Sequence, residues 1–122
     1  MSIAAAQAST FYEQIAKEKS VFTFTKDDDY LVFPVHGKEV IPFWSSRNRL
    51  AKIQRDHPKY SAFTVSEVSL DTFLAKTLAQ LQEEGIHIGV NWSGPRLTGY
   101  DISAVDLRRS IEHQLASDSP RG

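Results

Sequence analysis

The chain has 122 residues, no cysteine, and 14 Lys and Arg against 15 Asp and Glu, a formal net charge of -1. That length fits one domain and leaves no room for two ordinary ones, and the missing cysteine excludes disulfides, thiolate metal sites and cysteine nucleophiles. A sequence pI near 6.4 argues against a dedicated nucleic-acid binder, which normally carries an excess of positive charge.

The first residues, Met1 to Ala8, contain no basic region and no long apolar run, so they do not read as a secretory signal. No stretch approaches the ~20 apolar residues that span a bilayer. A cytoplasmic location, with no membrane contact, is therefore expected. Ala8, Phe11, Tyr12, Ile15 and Ala16 recur at helical spacing and predict a helix over about 4–19. The β-branched and aromatic stretch Val21 to Thr25 reads as a strand, and Lys26-Asp27-Asp28-Asp29 as a turn, because short Asp side chains tolerate unusual dihedrals. Tyr30 to Val35 and Glu39 to Trp44 predict two further strands around His36-Gly37-Lys38. Pro34 and Pro42 cannot donate to a ladder, so each must sit at an edge, a bulge or an unpaired position.

Ser45 or Ser46 caps a second helix that Pro58 stops. Ala62 to Val68 alternates as a strand, and Ser69 caps the clearest helix, with Leu70, Phe73, Leu74, Thr77, Leu78 and Leu81 on one face and Gly85 at its end. Ile86, Ile88, Val90 and Trp92 are predicted to share one face of a strand, followed by a loop over Ser93 to Gly99. Ser103 caps a last helix that carries Leu107, Ile111 and Leu115 inward. The expectation is a single α+β domain over 1–116, with about four helices on one largely antiparallel five-stranded sheet, and a disordered tail over 117–122.

The chemical inventory is short. His36, His57, His87 and His113 form no close pair, and the acids at 27–29 lack the ligand spacing of a calcium loop, so no metal and no cofactor are expected. Ser93 could be imagined with His87 and Asp101 as a nucleophile, base and orienting acid. Yet Asn91 stands where the nucleophile elbow needs its first Gly, and Gly94-Pro95 reads as a turn rather than a helix start. The stronger charge feature is Arg47, Arg49, Lys52, Arg55 and Lys59 facing the single acid Asp56. A solvated helix face accounts for it; a basic patch for an acidic partner is the functional alternative. Trp44 and Ser45 at one strand end, with Asn91, Trp92 and Ser93 at another, could equally rim a small pocket or plug the core.

Val32-Phe33, then Glu39-Val40-Ile41-Pro42-Phe43-Trp44-Ser45-Ser46, Val68-Ser69-Leu70-Asp71-Thr72-Phe73-Leu74, Gly89-Val90-Asn91-Trp92-Ser93-Gly94 and Gly99-Tyr100-Asp101-Ile102 occur in an order that resembles the uncharacterised bacterial family of domain of unknown function 2750. Phe11-Tyr12 and Val21-Phe22 fit the same pattern, so the resemblance covers nearly the whole chain. A fainter resemblance is to the N-terminal domain of SseB-type proteins associated with bacterial secretion. The resemblance implies a small bacterial α+β domain and brings no catalytic residue with it. With no recognisable catalytic motif, an interaction module (an immunity, secretion-associated or regulatory partner) is favoured over an enzyme. The alternative is a small-ligand-binding protein or hydrolase-type enzyme using the Trp44/Trp92 rim. Phe63-Thr64-Val65-Ser66 lacks the guards that protect sheet edges and should lie beside an apolar patch, to be covered by a second copy in a homodimer or by a different protein partner.

Overall fold

A computed structural model of the chain describes residues 3–118. Its first helix, α1 (Ile3–Glu18), buries Ala8, Phe11, Ile15 and Ala16 and ends where Lys19 turns to φ 61°. Strands β1 (Ser20–Lys26) and β2 (Asp29–Tyr30) form a hairpin closed by Asp27 and Asp28, both at positive φ. A second hairpin joins β3 (Phe33–Val35) to β4 (Lys38–Phe43) through His36 and Gly37, again both at positive φ. Two consecutive positive φ angles are the signature of a type I′ turn, whose twist matches that of the strands it joins. The expected strand over 30–35 is thus two short strands serving different partners.

Next come α2 (Arg47–Asp56), a 3-10 turn (Pro58–Ala62) and β5 (Thr64–Ser69). Helix α3 spans 70–83 with a π-helical turn (Phe73–Thr77) in its middle, and the Ser69 hydroxyl accepts the Thr72 amide at 3.1 Å as its cap. Gly85, at φ 69°, reverses the chain into β6 (His87–Ser93). Strand β7 (Thr98–Ile102) begins inside the loop expected over 93–99 and is not among the expected strands, and α4 (Ala104–Asp118) follows. That last helix runs two residues into the expected tail; residues 119–122 lie outside the described ones.

Among the described residues the strands form two sheets, β2-β1-β5 and β3-β4-β6-β7, and not one sheet of five strands. Pairing is antiparallel except between β4 and β6. Proline explains the division. Phe22 and Trp44 exchange backbone hydrogen bonds at 2.8 and 2.7 Å, an isolated antiparallel bridge between β1 and β4. The next hydrogen-bonded pair in such a ladder would be Phe24 with Pro42. Pro42 has no N–H to donate. The Phe24 carbonyl instead accepts the Leu31 amide at 3.1 Å, and the Pro42 carbonyl accepts the Thr23 hydroxyl at 2.8 Å. One bridge forms and the ladder stops.

Side chains on the two faces build two cores. Helices α1, α3 and α4 cover Val21, Ile41, Phe43, Ile88, Val90 and Ile102 on one face. On the other, α2 and the 3-10 turn cover Phe22, Phe24, Val40, Trp44, Trp92 and Leu97 with Leu50, Ile53 and Tyr60. Trp92 therefore does not share a face with Ile88 and Val90. Asn91 takes φ 51° and the β6–β7 register shifts between Val90 and Ser93, a bulge that turns the strand by one residue. A one-residue slip moves every later side chain to the opposite face.

Candidate functional site

The tryptophans plug the core. Trp44 is fully buried and Trp92 is 3% exposed. Each polar edge is satisfied by backbone, as buried indoles require: Trp44 Nε1 donates to the Trp92 carbonyl at 2.8 Å, and Trp92 Nε1 to the Tyr100 carbonyl at 2.9 Å. The Trp92 ring lies so close to β6 and β7 that a Cβ on Gly89 would stand 2.4 Å from its ring, and one on Gly99 2.7 Å.

Ser45 and Asn91, both buried, form a polar latch between the end of β4 and the β6 bulge. Asn91 Oδ1 accepts the Ser45 amide at 2.9 Å, and Asn91 Nδ2 donates to the Ser45 hydroxyl at 3.0 Å. That hydroxyl donates in turn to Gln14 Oε1 of α1. Asn is suited to this place because it tolerates positive φ and offers an acceptor and two donors at once. Ser93 is engaged by Gln7 Nε2 of α1. Gln7 and Gln14 gave no signal in the sequence, since they sit in helix positions that solvated glutamines also occupy.

Ser93, His87 and Asp101 do not come together as a triad. His87 Nδ1 and Asp101 Oδ2 do pair, at 3.1 Å across β6 and β7. Ser93, however, is at the far end of β6, six residues away, which in a strand is roughly 20 Å. Among the described residues no three His, Asp or Glu side chains converge as metal ligands.

The five basic residues do not form one patch. Arg47 turns away to Glu67 at 3.0 Å and lies 5.3 Å from the Phe22 ring. Lys59 sits 5.2 Å from the Tyr60 ring, and Arg55 is exposed. Arg49 and Lys52 instead line a cleft of about 640 Å³, together with Ile53, Asp56, His57 and the Trp92–Pro95 segment of the opposite wall. The basic helix and the second tryptophan strand end, separate features in the sequence, thus meet at one place. The helix supplies Arg49, Lys52, Ile53 and Asp56 because positions i, i+3, i+4 and i+7 share a face. Lys52 Nζ and Asp56 Oδ2 are 2.6 Å apart, and this ion pair holds the exposed Asp56 carboxyl below the usual carboxylate range. His57 Nε2 is 3.2 Å from the Gly94 carbonyl, which can only accept, so the ring carries its proton on Nε2. Arg49 is half-buried, and desolvation lowers its pKa from the ordinary value.

Residues 8–111 match the model of a family described as Protein of unknown function (DUF2750). The chain belongs to the DUF2750 family. No curated protein matches it. In this DUF2750 chain the Phe43-Trp44-Ser45 and Asn91-Trp92-Ser93 motifs are the two halves of the core plug and latch, so the segments that carry the family resemblance act first as architecture. No helix of the described residues is long and apolar enough to cross a membrane.

Proposed function

We propose that this DUF2750 chain is a protein-interaction module that docks an acidic partner on α2 and the cleft beside it. The observation that carries the reading is the meeting of the basic residues Arg49 and Lys52 of α2 with an apolar floor of Ile53, Trp92 and Pro95, with Arg55 exposed further along the same helix. Cations steer an acidic partner toward the helix, while the apolar floor gives contact area once it arrives. A cleft of about 640 Å³ also falls within the range of small-ligand pockets, which keeps a ligand-binding protein as the alternative. The geometry differs from a pocket rimmed by both tryptophans: Trp44 is fully buried, and Trp92 with Ser93 reaches the cleft. An intracellular bacterial role as an immunity, secretion-associated or regulatory partner is compatible with such a module.

Fluorescence anisotropy with acidic, neutral and basic peptides and a DNA oligonucleotide tests the reading. Acidic peptides should bind with an affinity that falls as salt rises, and the Arg55→Glu/Lys59→Glu variant should weaken them. Preference for DNA over acidic peptides would overturn it.

Self-association is the second reading, favoured by β5, which pairs with β1 alone among the described residues. Among the described residues, Phe63, Val65 and Val68 there are half-buried against the two cores, and the exposed large apolar residues are Val32, Tyr100 and Val105. Sedimentation at micromolar concentration tests this reading, which requires a dimer that a Val65→Lys substitution dissociates.

A further inference from the structure

We infer that the α2 cleft is a site for one carboxylate carried on an apolar body, with the Arg49 guanidinium as its anchor, and that the docking partner supplies this group as an acidic side chain next to a large apolar one. The inference rests on the partner-docking reading above and specifies the chemistry of the contact.

Three charged side chains line the cleft. Lys52 and Asp56 neutralise one another at 2.6 Å, one helical turn apart. His57 Nε2 is taken up by the Gly94 carbonyl at 3.2 Å. Arg49 is left: among the described residues no side chain or carbonyl accepts from its guanidinium. Burial lowers its pKa. A half-buried guanidinium has lost part of its hydration and still offers five N–H donors in a fixed planar fork. The acceptor that matches the fork is a planar oxyanion taking two parallel hydrogen bonds.

Charge selects carboxylate over phosphate. Arg49 and Lys52 against Asp56 leave the cleft one positive charge. A carboxylate balances it, whereas a phosphomonoester, near -2 at neutral pH, would leave an uncompensated negative charge against an apolar wall. Ile53, Trp92 and Pro95 form that wall and fit a hydrocarbon or ring beside the carboxylate. The volume, about 640 Å³, accommodates two adjoining side chains and far exceeds a bare ion.

The experiment is a titration of the full chain, followed by heteronuclear NMR, with a short peptide amide holding one Asp beside Phe. Its Asn counterpart, phenylacetate and inorganic phosphate are titrated in parallel. The Asp-Phe peptide should bind most tightly, and the Asn counterpart should lose roughly ten- to a hundred-fold, as expected for charge-assisted hydrogen bonds. Arg49→Met, which keeps the apolar stem, should lose a similar factor. Arg49→Lys should recover part of the loss, and Lys38→Met, on β4 and outside the cleft, should stay within about two-fold. Urea unfolding of each variant separates lost binding from lost fold. Binding by Arg49→Met within two-fold of the parent, or tighter binding of phosphate than of the peptide, would overturn the inference. Phenylacetate binding more tightly than the peptide would overturn the assignment to a protein partner. If Arg49→Met leaves binding intact while Arg55→Glu/Lys59→Glu abolishes it, the inference falls and the docking reading stands. If neither variant matters, both fall.

Discussion

Replacing Gly89 by Ala should destabilise the protein although Gly89 lies in a strand at an ordinary φ. A Gly→Ala change at a compatible backbone position normally stabilises by about 0.4–1 kcal/mol, because it restricts the unfolded chain. Here the new methyl would stand 2.4, 2.6 and 2.7 Å from three atoms of the Trp92 ring, far inside contact distance. The ring cannot step aside freely. Its Nε1 is bonded to the Tyr100 carbonyl, its own carbonyl accepts Trp44 Nε1, and it is 3% exposed. Overpacking a core costs about 1–3 kcal/mol, and a displaced indole forfeits a hydrogen bond of about 1 kcal/mol. After the unfolded-state gain is subtracted, a net loss of about 2 kcal/mol is expected. Urea unfolding followed by tryptophan fluorescence and far-UV circular dichroism reads it. The same substitution in a Trp92→Leu background should cost less than in the parent, because the obstacle is gone. Gly89→Ala protein as stable as the parent would refute the placement of Trp92 over β6, and with it the bulge at Asn91.

Asn91→Ala should cost about 2–4 kcal/mol in urea unfolding, since it leaves the buried Ser45 amide without its acceptor and puts Ala at φ 51°. Leu78→Ala should cost about 3 kcal/mol because Leu78 is 1% exposed, and Leu74→Ala clearly less because Leu74 is only half-buried. Equal losses at the two sites would contradict the face assigned to α3. The Tyr12 hydroxyl, with its pKa raised chiefly by burial, disfavours ionisation in the folded state. Its contribution is complete below the unfolded tyrosine pKa near 10 and is lost as pH rises through the raised folded value. Parent and Tyr12→Phe protein compared between pH 8 and pH 11 should therefore diverge, with the parent falling faster. Parallel curves would show that Tyr12 is solvated.

Periodicity made the helices legible. Phe11 and Ile15, Leu70 to Leu81, and Leu107 with Ile111 turn the faces inward that their spacing indicates, because helical burial depends on local repeats of 3.6 residues. The sheet was less legible, for identifiable reasons. Pro42 was recognisable as a position that cannot donate, but that its silence divides the strands into two sheets depends on Phe24 lying opposite, which only the tertiary arrangement decides. Thr98–Ile102 buries Ile102 alone, so β7 shows no alternation to read. The bulge at Asn91 breaks the two-residue period that the spacing of Ile86, Ile88, Val90 and Trp92 predicts. The cleft was half visible: Arg49 and Lys52 stood out as charge and Trp92 as a strand end, yet their meeting depends on α2 packing over the β6–β7 turn. Asp56 and His57 line it without any motif of their own.

Backbone chemical-shift mapping of the full chain during titration with the Asp-Phe peptide tests the central claim most directly. The account predicts shifts confined to residues 47–60 of α2 and its 3-10 turn and to 92–95 of the opposite wall, fading as salt rises. Shifts centred on the Tyr12 and Tyr100 groove between α1 and α4, or none at all with any acidic peptide, would contradict it.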